Sequence, residues 1–213
     1  MTGTKGAMTS ARLAESMLEL IQRNGYSGTG LNTVVEHSGA PKGSLYFHFP
    51  QGKEALGEKA VELAAARFGS LVADSALESG SASGSASASA TPGEVVRRVI
   101  DTLAGMLTDS DFQLGCPVSV VTLEMGARSE RLRDACANAF ESWIGPVAEY
   151  LVAHGRPRPD ARATATAVVS MVEGAVIVSR AQRSTEPLRC AARALAVLLD
   201  EGDKGDEGTE ASA

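Results

Sequence analysis

The stretch Ala40 to Phe49, APKGSLYFHF, packs cationic and hydrogen-bonding groups into a short span. Lys42 brings a point charge, Ser44 and Tyr46 bring hydroxyls, and His48 brings an imidazole. Gly43 leaves a bare backbone that another molecule can approach closely. Such a set suits a polyanion, because ammonium and hydroxyl groups bond phosphate oxygens and base edges. Phe47 faces outward among them, whereas Phe49 reads as a core residue tying this segment to the first helix.

Other reactive groups lie further along. Glu124 in VVTLEMG and Glu173 in SMVEGAVI put carboxylates into apolar helices, where a charge needs a partner. Each could recognise a cationic or hydroxyl-bearing ligand, or pair within the protein. For Glu173 the sequence favours pairing, with Arg180 or Arg183 at a subunit interface. Cys116 precedes Pro117, which opens a helix, and a thiol at a helix N-terminus is acidified. It reads as a redox sensor or as a small buried residue, and no adjacent Lys, Arg or His supports a thiolate.

Catalysis finds no footing. GSASG has Ala where a nucleophile elbow needs Ser, and Gly52-Lys53 is followed by Glu54 without the upstream glycine of a P-loop. His37, His48 and His154 lack metal-ligand spacing, and no nucleophile stands beside a base. No enzyme activity, metal or cofactor is expected.

These groups must be positioned by helices, since apolar periodicity is helical throughout and the expected fold class is all-α. The chain has 213 residues, 44% apolar and only 4% aromatic, so its core rests on Ala, Val and Leu. Three cysteines, widely spaced, argue for a reducing cytoplasm. The N-terminus lacks the apolar region of a signal peptide, and no run of about 18 apolar residues predicts a membrane span. The net charge of −6 is concentrated in a tail from Asp200 with six acids against one lysine, which leaves the body nearly neutral. Residues 201–213 read as a disordered acidic end.

Ala14, Met17, Leu18 and Ile21 share one face of a first helix that Gly25 can stop. Leu31, Val34 and Val35 belong to a second, with Thr29 as its N-cap. Gly39 breaks the chain, Pro41 to Phe47 form a third, and Lys53 opens a long fourth. Two short helices about a tight glycine turn, with Val34, Val35, Ser38, Ala40 and Leu45 inward, have helix-turn-helix spacing. In such a unit the second helix enters the major groove of DNA. A Gly/Ser/Ala connector follows at 79–93, then helices near 94–108, 117–126, 128–154, 160–182 and 186–200. The last two are apolar nearly all round and call for cover from a second subunit.

Asn24 to Leu56, NGYSGTGLNTVVEHSGAPKGSLYFHFPQGKEAL, resembles the DNA-binding head of the TetR/AcrR family of bacterial transcriptional repressors. The Gly25-Tyr26 pair, Thr29, Gly39, Lys42 to Tyr46, Phe49 and Lys53 to Leu56 carry the resemblance. The extra residue before the lysine, with DFQLGCPVSVVTLE in the body, is similar to the LmrA/YxaF-like branch. Two departures are Pro41, where the family has a small hydroxyl residue, and Val35, where it has Ala.

The resemblance implies a helix-turn-helix DNA-binding domain at 9–52 and a helical ligand-binding and dimerisation domain at 53–200. It implies a repressor that binds a pseudo-palindromic operator as a homodimer and is released by a small molecule. Thr29, Lys42, Gly43, Ser44, Tyr46, His48 and Lys53 would contact DNA. Phe68, Leu71, Met106, Phe112, Cys116, Val121, Glu124, Met125, Trp143 and Met171 would line the effector pocket, and the fourth helix would carry motion to the head. The alternatives are redox sensing through Cys116, or a helical dimer that binds protein rather than DNA.

Overall fold

A computed structural model describes residues 3–41, 43–77 and 90–200 of the chain. Lys42, most of the 79–93 connector and the 201–213 tail lie outside the described residues. Among those described, every regular element is a helix: α1 (Gly3–Asn24), α2 (Leu31–Ser38), α3 (Ser44–His48), α4 (Lys53–Leu77), α5 (Pro92–Asp109), α6 (Pro117–Met125), α7 (Glu130–Ala153), α8 (Arg158–Gln182) and α9 (Glu186–Asp200). They fall into two compact units, Met1–Gly69 with Ser110–Trp143, and Ser70–Asp109 with Ile144–Ala213. The division between these units therefore runs within α4 and α7.

In the first unit, Leu13, Ala14, Met17, Leu18 and Ile21 bury one face of α1. Gly25 stops that helix with φ 77°, its N–H donating to Ile21 O at 3.0 Å. Tyr26 then turns inward against α4 and α7. A Cβ at Gly57 would lie 2.6 Å from Tyr26 Cε2 and 3.3 Å from Leu132 Cδ2, so only glycine lets these three elements meet. Burial pushes the Tyr26 hydroxyl up to about 12, with the Glu54 carboxylate adding to the effect. Trp143 is buried on α7, stacks on Phe68 at 4.6 Å, and donates its indole N–H to Ala65 O at 3.0 Å. Arg131 on α7 pairs with Glu58 on α4 at 2.6 Å.

In the second unit, α5 begins earlier than expected. Thr91 Oγ1 accepts from Glu94 N at 3.2 Å, and Glu94 Oε2 accepts from Thr91 N at 3.0 Å. This reciprocal capping box starts the helix at Pro92, so residues 90–93 of the expected connector are ordered here. Asp200 at the end of α9 accepts from Gly93 N at 3.0 Å and pairs with Arg97 at 3.5 Å. Val95, Val99 and Ile100 on α5 share a core with Leu188, Leu195 and Leu199 on α9. On α8, Ala161, Ala165, Val168, Val169, Val172 and Val176 are buried. By length and composition alone α8 is apolar enough to cross a membrane, with a mean hydropathy of 1.4 over 18 residues. One of its faces is buried, and another exposes Met171, Ile177 and Val178.

Candidate nucleic-acid interface

Three turns position the short helix α3. Gly39 adopts φ 61°, where a side chain would be strained, and its N–H closes on Glu36 O at 3.2 Å. Ser38 Oγ donates to Val35 O at 3.0 Å and accepts from Ala40 N at 3.1 Å, which fixes the chain as it leaves α2. Pro41 O then accepts both Ser44 N at 2.9 Å and Ser44 Oγ at 2.7 Å. Pro41 thus precedes α3 and does not lie in it, because it sets up the turn that starts the helix. Leu45, at 1% exposure, anchors the inner side of α3, which packs on α1, and Phe49 is buried as expected.

What α3 turns outward is unusual for a water-facing surface. Tyr46 is 64% exposed and Phe47 80%. Phe47 stands edge-on to the His48 ring at 5.0 Å. Gly43 is exposed, and a Cβ there would meet nothing within 4 Å, so the space beside it is open to a partner. Ser44 and His48 are half-buried. Lys42, in the middle of this group, lies outside the described residues.

Thr29 departs from its expected role. The residue at the N-cap of α2 is Gly30, with no side-chain cap. Thr29 is 1% exposed and its hydroxyl donates to Gly25 O at 2.7 Å. A threonine hydroxyl can satisfy the preceding helix end as readily as the following one, and here the α1 carbonyl takes it. It braces the turn from within and offers no hydroxyl to a phosphate.

Lys53 is half-buried at the start of α4. Its ammonium lies 4.5 Å from the Tyr26 ring centroid and donates to Ser27 O at 3.4 Å. Burial lowers its pKa, and the Glu124 carboxylate partly opposes that. Glu124, expected either on the pocket wall or paired within the protein, has a partner here. Its Oε2 accepts from the backbone N–H of Ser27 at 2.6 Å, in the turn between α1 and α2. This carboxylate oxygen therefore reaches the turn between α1 and α2.

The other expected pocket residues are divided between the two units. Phe68, Phe112, Cys116, Val121, Met125 and Trp143 belong to the first unit, and Leu71, Met106 and Met171 to the second. Val121 is fully buried as core beside Val118, while Met106 and Met171 are exposed. Cys116 is the N-cap of α6 with Pro117 behind it, as the sequence indicated. Two grooves among the described residues are lined by other side chains. One is a groove between Leu31, Asn32, Val35, Glu36, Leu45 and Tyr46; the other is bounded by Thr91, Leu151, His154, Arg156 and Asp200.

A buried helix, a left-handed glycine turn and a short outward-facing helix make this an all-α helix-turn-helix protein of the DNA-binding class. Residues 15–60 match the family "Bacterial regulatory proteins, tetR family", and residues 92–194 match "Transcriptional regulator LmrA/YxaF-like, C-terminal domain". The chain is 32% identical over 177 residues to the HTH-type transcriptional regulator LmrA of Bacillus subtilis, covering 83% of this chain and 89% of that one. It is 32% identical over 188 residues to the uncharacterized regulator YxaF of the same organism, covering 88% and 93%. The crystal structure of a TetR-family regulator from Cytophaga hutchinsonii superposes with a TM-score of 0.76 at 23% identity, covering 95% of this chain and 98% of that one. The chain belongs to the TetR family of bacterial transcriptional regulators, in the branch with an LmrA/YxaF-like C-terminal domain, and is not an enzyme.

Proposed function

We propose that the chain is a ligand-responsive repressor. A homodimer sets its two α3 helices into successive major grooves, roughly 34 Å apart, on a pseudo-palindromic operator. Bound there, it occludes a promoter. A small molecule that favours a different head spacing shifts the population and releases the DNA, which requires only a difference in affinity between the two states. The target, chromosomal duplex, puts this work in the cytoplasm.

The observation that carries the reading is the outward face of α3. Tyr46 and Phe47 are exposed on a helix whose Leu45 is locked inside, so the aromatics are held out with none of the described residues covering them. Tyr46 and Ser44 offer hydroxyls to phosphate or base edges, His48 an imidazole, and Gly43 a close approach. Lys42 and Lys53 supply the cations. The second support is the outer face of α8 and α9, where Met171, Ile177, Val178, Val197 and Leu198 remain exposed. A second copy burying the same face would form a four-helix interface. The effector would bind among the helices that follow Lys53.

Selection of duplexes from a random-sequence pool, followed by gel shift, tests the reading. The protein should enrich a two-fold-symmetric site and lose affinity steeply as salt rises. Tyr46→Ala and Lys42→Ala should each weaken that binding about tenfold or more while the dimer persists. Normal affinity in both variants would remove α3 as the DNA contact.

A further inference from the structure

We propose that Glu124 is a positioning residue for DNA binding: its carboxylate locks the turn between α1 and α2, and through it the angle at which α2 and α3 are presented. The inference rests on the DNA-binding reading and adds a residue on α6, far from α3 in sequence, that sets the strength of that binding.

Three contacts converge on this turn. Glu124 Oε2 accepts the Ser27 N–H at 2.6 Å, a short bond of the charge-assisted kind. Its Oε1 lies directly against Gly25, where an added Cβ would collide with it. Gly25 also has φ 77°, so glycine is demanded twice, by backbone conformation and by the carboxylate beside it. Lys53 stands on the other side of the turn, bonded to Ser27 O at 3.4 Å. Ser27 is thereby held through its N–H by a carboxylate and through its C=O by an ammonium.

Helix α6 is fixed to α1 at its opposite end as well. Gln22 Nε2 donates to Gly115 O at 3.3 Å, just before the Cys116 cap of α6. One polar bridge at each end prevents α6 from sliding along α1 without breaking a bond. Any displacement of α6 that withdraws Glu124 frees the Ser27 N–H and loosens the segment leading into α2. Among the described residues Glu124 is the side chain that accepts this N–H, so its protection reports the state of the lock.

The test uses the full chain and the duplex it selects from a random-sequence pool. In Glu124→Ala the Ser27 amide should exchange with solvent about tenfold faster, and duplex affinity should fall about tenfold, the worth of one charge-assisted bond. The slope of log affinity against log salt should not change, because no phosphate contact is removed. Glu124→Gln keeps an acceptor oxygen and should lie between wild type and Ala, which also keeps the test readable if the Ala variant folds poorly. Affinity within twofold of wild type in Glu124→Ala, or an unchanged Ser27 amide, overturns the proposal. A wild-type protein that selects no duplex defeats the DNA-binding reading itself, a result distinct from either of these.

Discussion

Among the surfaces that expose apolar side chains, α3 and the α8–α9 pair do so in different chemical company. On α3, Tyr46 and Phe47 stand among Gly43, Ser44 and His48, groups that bond phosphates and base edges. On α8 and α9, Ile177, Val178, Val197 and Leu198 stand among alanines and other aliphatics. An exposed ring on a polar, rigidly held helix fits a charged and wet partner. An exposed aliphatic face on a long helix fits another face of the same kind. Exposure alone thus does not name a partner; the neighbours of the exposed residue do.

The contrast can be broken most forcefully at α8. A charge at Ile177, 48% exposed in the single chain, would be buried unpaired in a dimer. Ile177→Asp should weaken dimerisation by about 3 kcal/mol or more, read by sedimentation equilibrium, and should reduce DNA affinity with it. Tyr46→Ala should act the other way round, costing about 1–3 kcal/mol of duplex binding per half-site with the dimer unchanged. If the two substitutions gave the same phenotype, the faces would not be distinct.

Smaller effects sharpen the account of what holds each surface. Gly57→Ala drives a methyl toward Tyr26 Cε2 and should cost about 1–3 kcal/mol of stability in denaturant melts. Thr91→Ala removes half of the α5 capping box and should cost about 1 kcal/mol. The Tyr26 hydroxyl supplies a pH signature. The folded chain keeps its proton to about 12, whereas the unfolded chain loses it near 10.0. Unfolding therefore releases a proton within that window, and stability falls as pH rises through it. Tyr26→Phe should flatten that part of the stability profile.

How much of this could be read from the sequence depended on distance along the chain. The helix-turn-helix was legible because its determinants are local: Gly39 for the left-handed turn, Val34 and Leu45 for the inner faces. Thr29 misled because a hydroxyl between two helices can bond either, and only the folded turn shows that it bonds Gly25 O. The start of α5 was hidden by the Gly/Ser/Ala run before it, although Thr91-Pro92-Gly93-Glu94 carries the capping-box pattern. Glu124 was recognised as a carboxylate needing a partner, but that partner is a backbone N–H 97 residues away, which no periodicity reveals. The expected effector pocket was the least legible part, because Met and aromatic residues at helical spacing read alike whether they line a cavity or fill a core.

The central claim, that α3 docks in duplex DNA, is tested most directly by a salt titration of binding to the selected duplex, comparing wild type with Lys42→Ala. If Lys42 neutralises one phosphate per protomer, the slope of log affinity against log salt should become shallower by about one for each bound half-site. Identical slopes and affinities for the two proteins would contradict the account.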